Sequence, residues 1–119
     1  MTHAKSNVKS FQRLSVAVTF ITECLETDAY TELFSELEQA QEHVARRSDY
    51  LDYFTKFIFS PLREIHKQMN LQELYRGREF PKSDTYFKLG GHMQELGCIH
   101  IDFEKREQSW VLRDIWMCR

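Results

Sequence analysis

The stretch CIHID, residues 98–102, places three side chains that could bind a metal ion at alternating positions. Cys98, His100 and Asp102 are two residues apart, so an extended strand points them to one face, and His92 lies a short distance upstream. Sulfur, imidazole and carboxylate are ligands that zinc and other transition metals accept. However, polar residues at every second position also arise on any strand whose other face is buried. We therefore predict a solvated strand face, with no metal and no cofactor.

Sequence motifs for catalysis are absent from the chain. It contains no GxSxG nucleophile elbow, no GxxxxGK[ST] phosphate loop, no HExxH and no GxGxxG. His43 and His66 stand among charged residues in segments with helical patterns, where surface positions explain them better than a role as catalytic bases. We therefore predict that the protein is not an enzyme.

The element that must position Cys98, His100 and Asp102 is a hairpin near the end of the chain. Apolar and polar residues alternate from residue 99 to residue 104, which predicts a strand. The segment KREQS supplies a turn, and WVLRDIW is rich in residues that favour a returning strand. Alternation along WVLRDIW places Trp110 and Trp116 on one face with Leu112, where packing in the core or against a subunit is expected.

Two helical patterns fill the first 59 residues. Apolar residues from Phe11 to Leu25 recur three and four apart, which predicts a first helix with apolar residues on two sides. From Leu33 to Ile58 the same spacing continues over nearly four heptads, with Arg47 at one seam position. One long helix and two shorter ones with a break near Ser48 both remain open, as do packing within one chain and pairing with a second copy.

Ser60 and Pro61 mark the expected boundary between two parts of the chain, because serine suits a helix cap and proline the first helical turn. We predict an N-terminal helical region, residues 1–59, that mediates homodimer formation, and a second unit, residues 60–119. The second unit should contain a helix from Pro61, a short helix around Leu71 to Tyr75, and a third helix capped by Ser83.

Residues 61–116 resemble the winged helix-turn-helix domains of bacterial and archaeal regulators such as the ArsR and MarR families. The resemblance is carried by the helix order, by SDTYFK as the start of a third helix, by ELGCI as its stop, and by the hairpin with a charged tip. It implies a mainly α fold with one C-terminal β-hairpin, in which N-terminal helices precede a winged helix-turn-helix. Gly90 departs from the pattern, because these families usually have a large apolar residue there.

In those families the third helix lies in the major groove of DNA and the wing contacts the backbone. The resemblance therefore implies a DNA-binding transcriptional regulator that acts as a homodimer on double-stranded DNA. The DNA-binding residues that it implies are Ser83, Thr85, Phe87, Lys88, Lys105 and Arg106. The net charge of −2 at pH 7 lacks the basic excess of most DNA-binding domains. The alternative is a non-enzymatic protein-protein interaction module, an adaptor or inhibitor, on a similar scaffold.

The cysteines and the apolar segments indicate where the protein resides. Cys24, Cys98 and Cys118 are odd in number and form no CxxC pair, which is typical of reduced thiols in the cytoplasm. The apolar segment LSVAVTFITECL is interrupted by Thr19, Thr22 and other polar residues, unlike a signal peptide, and no apolar run spans a bilayer. We predict a cytoplasmic protein that has no contact with membranes.

Overall fold

A computed structural model describes residues 8–44, 48–77, 86–92 and 98–117. The helices in chain order are α1 (Leu14–Glu26), α2 (Tyr30–Ser35), α3 (Glu38–Val44), α4 (Tyr50–Phe54), a π-helical turn (Thr55–Phe59), α5 (Ser60–Gln68) and α6 (Leu71–Gly77). The strands are β1 (Ser10–Phe11), β2 (Tyr86–His92), β3 (Cys98–Arg106) and β4 (Ser109–Met117).

The four strands form one antiparallel sheet in the order β1-β4-β3-β2. β3 and β4 are joined by a tight turn, in which Glu107 has a positive φ of 59°. Their register is interrupted next to Asp102, because Asp102 pairs with Asp114 whereas Phe103 pairs with Leu112. Arg113 is therefore an extra residue on β4, which makes this point a β-bulge.

One face of the sheet is apolar and forms the floor of the hydrophobic core. Its buried residues are Phe87, Leu89, Ile99, Ile101, Phe103, Leu112 and Ile115. Helices α1 and α3 and the π-helical turn contact β4, so the helices cover this inner face. One cluster of buried residues extends from Phe11 to Ile115 and joins the helices to the sheet. The opposite, outer face carries the polar side chains of the same strands.

The predicted fold class is wrong. The expected hairpin exists as β3 and β4, but it belongs to a four-stranded sheet and does not stand alone as a wing. The segment predicted to start the third helix is extended where the structure describes it, since β2 covers residues 86–92. Antiparallel pairing with β3 holds this segment as an edge strand of the sheet, and it accommodates Gly90 and Gly91 without the cost that two glycines impose on a helix.

The N-terminal helices are shorter than the sequence pattern indicates. The first helix begins at Leu14 and not at Phe11, because Phe11 pairs with Trp110 in the sheet. The second pattern is divided among α2, α3 and α4, with a break at Glu36. Its apolar positions Leu33, Leu37, Ala40, Phe54 and Ile58 are all buried within the chain. The heptad-like spacing thus reflects packing against the core. The homodimer stays a prediction.

Helical backbone continues without interruption from Tyr50 to Gln68, so Ser60 does not cap a new helix. The helix expected after Pro61 is present as the later part of this run. The short helix expected around Leu71 is confirmed as α6, and Asn70 caps it, because its Oδ1 accepts hydrogen bonds from the backbone N–H groups of Gln72 and Glu73 at 2.9 and 3.2 Å.

Candidate functional site

Polar and aromatic side chains converge on the outer face of strands β2, β3 and β4. We call them the outer-face cluster, which consists of Tyr86, Lys88, His100, Asp102, Asp114 and Trp116. The strand register brings them together, since Lys88 and Asp114 are the partners of Asp102 on the two neighbouring strands, and His100 is the partner of Trp116. Residues directly opposite one another on antiparallel strands have interacting side chains.

Asp102 is the centre of the outer-face cluster. Tyr86 donates its hydroxyl to Asp102 Oδ1 at 3.0 Å, and the Trp116 indole N–H donates to Oδ2 at 2.7 Å. Burial, together with the hydrogen bond to the Asp102 carboxylate, raises the pKa of Tyr86 to about 12. The two oxygens of one carboxylate therefore fix the positions of two aromatic rings on the sheet face.

The Trp116 ring is further held by stacking. The His100 ring lies parallel to it, with 4.1 Å between ring centroids and an interplanar angle of 15°, and Lys88 Nζ lies 5.4 Å from its centroid. Burial and the nearby Lys88 ammonium lower the pKa of His100 below its ordinary value, against the opposing effect of Asp102. His100 is thus a neutral ring at pH 7 and adds aromatic surface rather than charge.

Asp114 adds a second carboxylate beside Asp102. Burial raises the pKa of Asp114 to about 6, the charge of Asp102 contributes in the same direction, and a backbone hydrogen bond with Ile115 opposes them. The two carboxylates face each other across β3 and β4. This side of the cluster therefore carries negative charge that a cationic group would stabilise.

The position of Trp116 corrects the sequence-based prediction for the two tryptophans. Trp110 packs partly buried against the core, but Trp116 lies on the outer face with His100. Because Arg113 is an extra residue, the alternation of side chains along β4 is reversed beyond it. Trp116 therefore lies on the face opposite to that of Trp110 and Leu112. A one-residue bulge cannot be recognised from the alternation of apolar and polar residues in a strand this short.

The predicted wing tip lies in an ion-pair network that ties the hairpin to α3. Arg106 donates to both oxygens of Glu38, at 2.5 and 2.7 Å, and to Glu104 at 2.9 Å. Arg113 donates to Glu104 at 3.0 Å. The hydrogen bond from Arg106 lowers the pKa of Glu38, whose side chain is only 4% exposed, and burial opposes this effect. The charge of Arg106 is thus matched by carboxylates of the same chain.

The residues predicted to contact DNA are distributed over the sheet and not along a helix, in the part of the chain that the structure describes. Phe87 is buried on the inner face of β2, and Lys88 belongs to the outer-face cluster. Lys105 pairs with Trp110 close to the β3–β4 turn, and Arg106 belongs to the ion-pair network. Ser83 and Thr85 lie outside the described residues. Their role in DNA binding stays a prediction.

Cys98, His100 and Asp102, the three possible metal ligands, make other contacts in the structure. Cys98 is disulfide-bonded, and its sulfur lies 3.6 Å from His100 Nε2. The prediction of three reduced thiols is therefore wrong for Cys98. Cys24 is a free, buried thiol, and burial together with nearby glutamates raises its pKa to about 11. Among the described residues, no three or more His, Cys, Asp or Glu side chains are arranged to hold a metal ion.

A buried histidine was missed by the sequence analysis, which placed His66 at the surface. His66 is only 7% exposed, and its Nε2 lies 2.8 Å from Glu26 Oε2. Its Nδ1 accepts the backbone N–H of Leu71 at 3.1 Å, so His66 helps to cap α6. An open pocket of about 380 Å³ adjoins it, but both ring nitrogens are already engaged. The histidine is thus a structural link between α1, α5 and α6.

The chain matches no protein-family model, no curated protein and no solved structure. No relative therefore supports the resemblance to winged-helix regulators. Within the described residues, no helix combines the length and apolar character that crossing a membrane requires.

Proposed function

We propose that the chain is a non-enzymatic protein-interaction module, and that the outer-face cluster binds a partner protein with a basic surface. The observation that carries this proposal is the pair of aromatic rings, Trp116 and Tyr86, that Asp102 fixes on the sheet face at 2.7 and 3.0 Å. Tryptophan and tyrosine are the residues most often found at the energetic centre of protein interfaces. Rings that are fixed before binding also lose less conformational entropy when a partner arrives.

The charges of the cluster favour a cationic partner. Asp102 and Asp114 supply two carboxylates against the single ammonium of Lys88, and His100 is neutral at pH 7. A lysine or arginine of the partner would reduce the repulsion between the two carboxylates. An arginine has the further advantage that its planar guanidinium stacks on aromatic rings such as Trp116.

DNA binding, which the sequence resemblance implies, has less support from this geometry. The phosphate backbone of DNA requires an excess of lysine and arginine at the contact surface. Arg106 is instead paired with Glu38 and Glu104, and Lys88 lies beside Asp102. The charge distribution on the described part of the sheet therefore favours a protein partner over a nucleic acid.

A phage-displayed nonapeptide library selected against the immobilised protein tests the proposal. We expect the selected peptides to contain arginine or lysine beside apolar residues. Asp102→Asn and Asp114→Asn each remove one charge with little change of shape, and each should weaken peptide binding about tenfold or more by isothermal titration calorimetry. Glu73→Gln removes a charge from an exposed position on α6 and should leave the affinity unchanged.

Three results would overturn the proposal. The first is selection of acidic peptides, and the second is affinity that is equal in folded Asp102→Asn and wild-type protein. The third is retardation of duplex DNA at micromolar protein, abolished by replacing Lys88, Lys105 and Arg106 with alanine, which would favour the regulator hypothesis instead.

A further inference from the structure

The disulfide of Cys98 borders the outer-face cluster. Cys98 is the first residue of β3, and its sulfur lies 3.6 Å from Nε2 of His100 on the same strand. The His100 ring stacks on the Trp116 ring, with 4.1 Å between their centroids. A short chain of contacts therefore runs from the disulfide, through one imidazole, to the tryptophan whose indole N–H donates to Asp102 at 2.7 Å.

This disulfide lies at the open end of the β3–β4 hairpin, because the next residue on β3, Ile99, pairs with Met117 at the end of β4. In the described part of the chain, β1 pairs with β4 only at residues 110–111, so the rest of β4 has a paired strand on one side alone. Ile115 holds the inner face of this end in the core. On the outer face, the disulfide is the covalent restraint next to Trp116.

A reductant can reach Cys98. Its side chain is half-buried, whereas the free thiol of Cys24 is buried. A dithiol reductant transfers two electrons and two protons to a disulfide, so two cysteine thiols form in the protein while the dithiol itself becomes a disulfide. Accessible disulfides are the ones that are typically labile and regulatory, and thiol–disulfide exchange requires access to one of the two sulfurs.

We propose that the disulfide of Cys98 is a redox switch for the outer-face cluster, and that a dithiol reductant is the signal that operates it. In the oxidised form the disulfide restrains the end of β4 and holds Trp116 in place for the partner. Reduction removes this restraint, so that Trp116 samples several positions and must be ordered again when the partner binds. Partner binding is therefore weaker in the reduced form. This inference rests on the proposed function, because it concerns the regulation of the same surface.

Nuclear magnetic resonance of the ¹⁵N-labelled full chain, with and without dithiothreitol, tests the effect on Trp116 directly. Each tryptophan gives one indole N–H signal, and Trp116→Phe identifies the signal of Trp116. We expect this signal to shift and broaden on reduction, because the hydrogen bond to Asp102 is made for only part of the time. The signal of Trp110, which packs against the core, should stay unchanged. An unchanged Trp116 signal would overturn the switch.

Isothermal titration calorimetry with the basic peptides selected against the oxidised protein tests the effect on binding. We expect the affinity to fall about fivefold or more on reduction, because the loss of one ordered aromatic side chain weakens the centre of an interface. Cys98→Ser should bind as weakly as the reduced wild type and should not respond to dithiothreitol. Cys24→Ala changes the free thiol and should keep the full redox response. Equal affinities of the oxidised and reduced wild type would overturn the switch.

Two further measurements keep the result clear. We expect mass spectrometry of a non-reduced digest to find Cys98 joined to Cys118, since Cys24 is free and the chain has no other cysteine. Finding Cys98 as a free thiol in protein that was exposed to oxidised glutathione would overturn the proposal. Circular dichroism should show that the reduced chain stays folded. Loss of the fold on reduction would overturn the switch as well, because the disulfide would then stabilise the whole chain.

The switch and the proposed function can fail separately. If no basic peptide is selected, the proposed function is wrong, and the indole signal of Trp116 still shows whether reduction releases its ring. If peptides bind with the expected dependence on Asp102 but with equal affinity in both redox states, the proposed function stands and the switch is wrong.

Discussion

Asp102 shows how far single residues could be interpreted from the sequence. The alternation of Cys98, His100 and Asp102 correctly indicated a polar strand face, because the buried residues between them alternate with the same period. The chemistry of that face was not predictable. It depends on Tyr86 and Trp116, which come from two other strands and reach Asp102 only through the register and the bulge at Arg113.

Asp114 should make the fold less stable as it ionises. Its pKa is raised from the ordinary aspartate value of 3.8 to about 6 in the folded chain, chiefly by burial. Between these two pH values the folded state binds more protons than the unfolded state, so stability falls as pH rises through this window and levels off above it. We expect Asp114→Asn, which cannot ionise, to lack this decrease.

Urea denaturation of the wild type and of Asp114→Asn between about pH 4 and about pH 8 provides the measurement. The difference between the two stabilities isolates Asp114 from the carboxylates with lowered pKa, such as Glu38 and Glu104, whose contribution is lost as pH falls. Asp52→Asn, which neutralises an exposed carboxylate on α4, is the matched control for a general change of net charge. A constant difference between wild type and Asp114→Asn across the range would contradict the prediction.

Strand β2 is the element that the sequence misrepresented most. Residues 86–92 are too few to separate a helical from an extended pattern by periodicity, and their context before ELGCI favoured a helix. Gly90 and Gly91 argued against a helix at this position, because two glycines destabilise a helix by up to about 2 kcal/mol relative to alanines. Residues 86–92 form a strand because they pair with β3. This is a tertiary interaction, and local sequence propensity does not predict it.

The link between α3 and the hairpin depends on the bidentate pair of Glu38 and Arg106. Replacing Arg106 with alanine leaves the nearly buried Glu38 carboxylate with one cationic neighbour among the described residues, Arg113, whose Nε is 3.7 Å away. We expect Arg106→Ala to lower the free energy of unfolding by about 2–4 kcal/mol, because an uncompensated buried charge costs more than the pair itself contributes. Chemical denaturation measures the loss.

The double variant Glu38→Gln/Arg106→Ala tests the reason for that loss. Once the buried carboxylate is neutral, the missing guanidinium matters less, so the double variant should be more stable than Arg106→Ala alone. Lys67→Ala, which removes an exposed partner of Glu64, should change stability by no more than about 0.5 kcal/mol. Equal losses in Arg106→Ala and Lys67→Ala would mean that the network does not tie α3 to the sheet.

The molecule as a whole has one buried cluster with members from both sides of the boundary expected at residue 59, and the division into two units stays a prediction. Phe54 and Ile58, from the predicted N-terminal region, and Ile101 and Leu112, from the predicted second unit, belong to the same buried cluster. The helical run from Tyr50 to Gln68 also crosses that boundary. A shared core and a shared helix couple the helical layer to the sheet. If either layer unfolds, the apolar residues of the other layer become exposed to water.

Two spectroscopic signals can determine whether this coupling produces one unfolding transition. Both tryptophans, Trp110 and Trp116, lie on β4, so tryptophan fluorescence reports on the sheet, whereas far-UV circular dichroism is dominated by the helices. We expect the two signals to give the same denaturant midpoint and the same slope, as one cooperative unit requires. Replacing Ile101 with alanine should shift both midpoints together, because its side chain is fully buried in the shared cluster. A fluorescence transition separated from the dichroism transition, or a shift of only one of them in the variant, would instead support two units divided near residue 59.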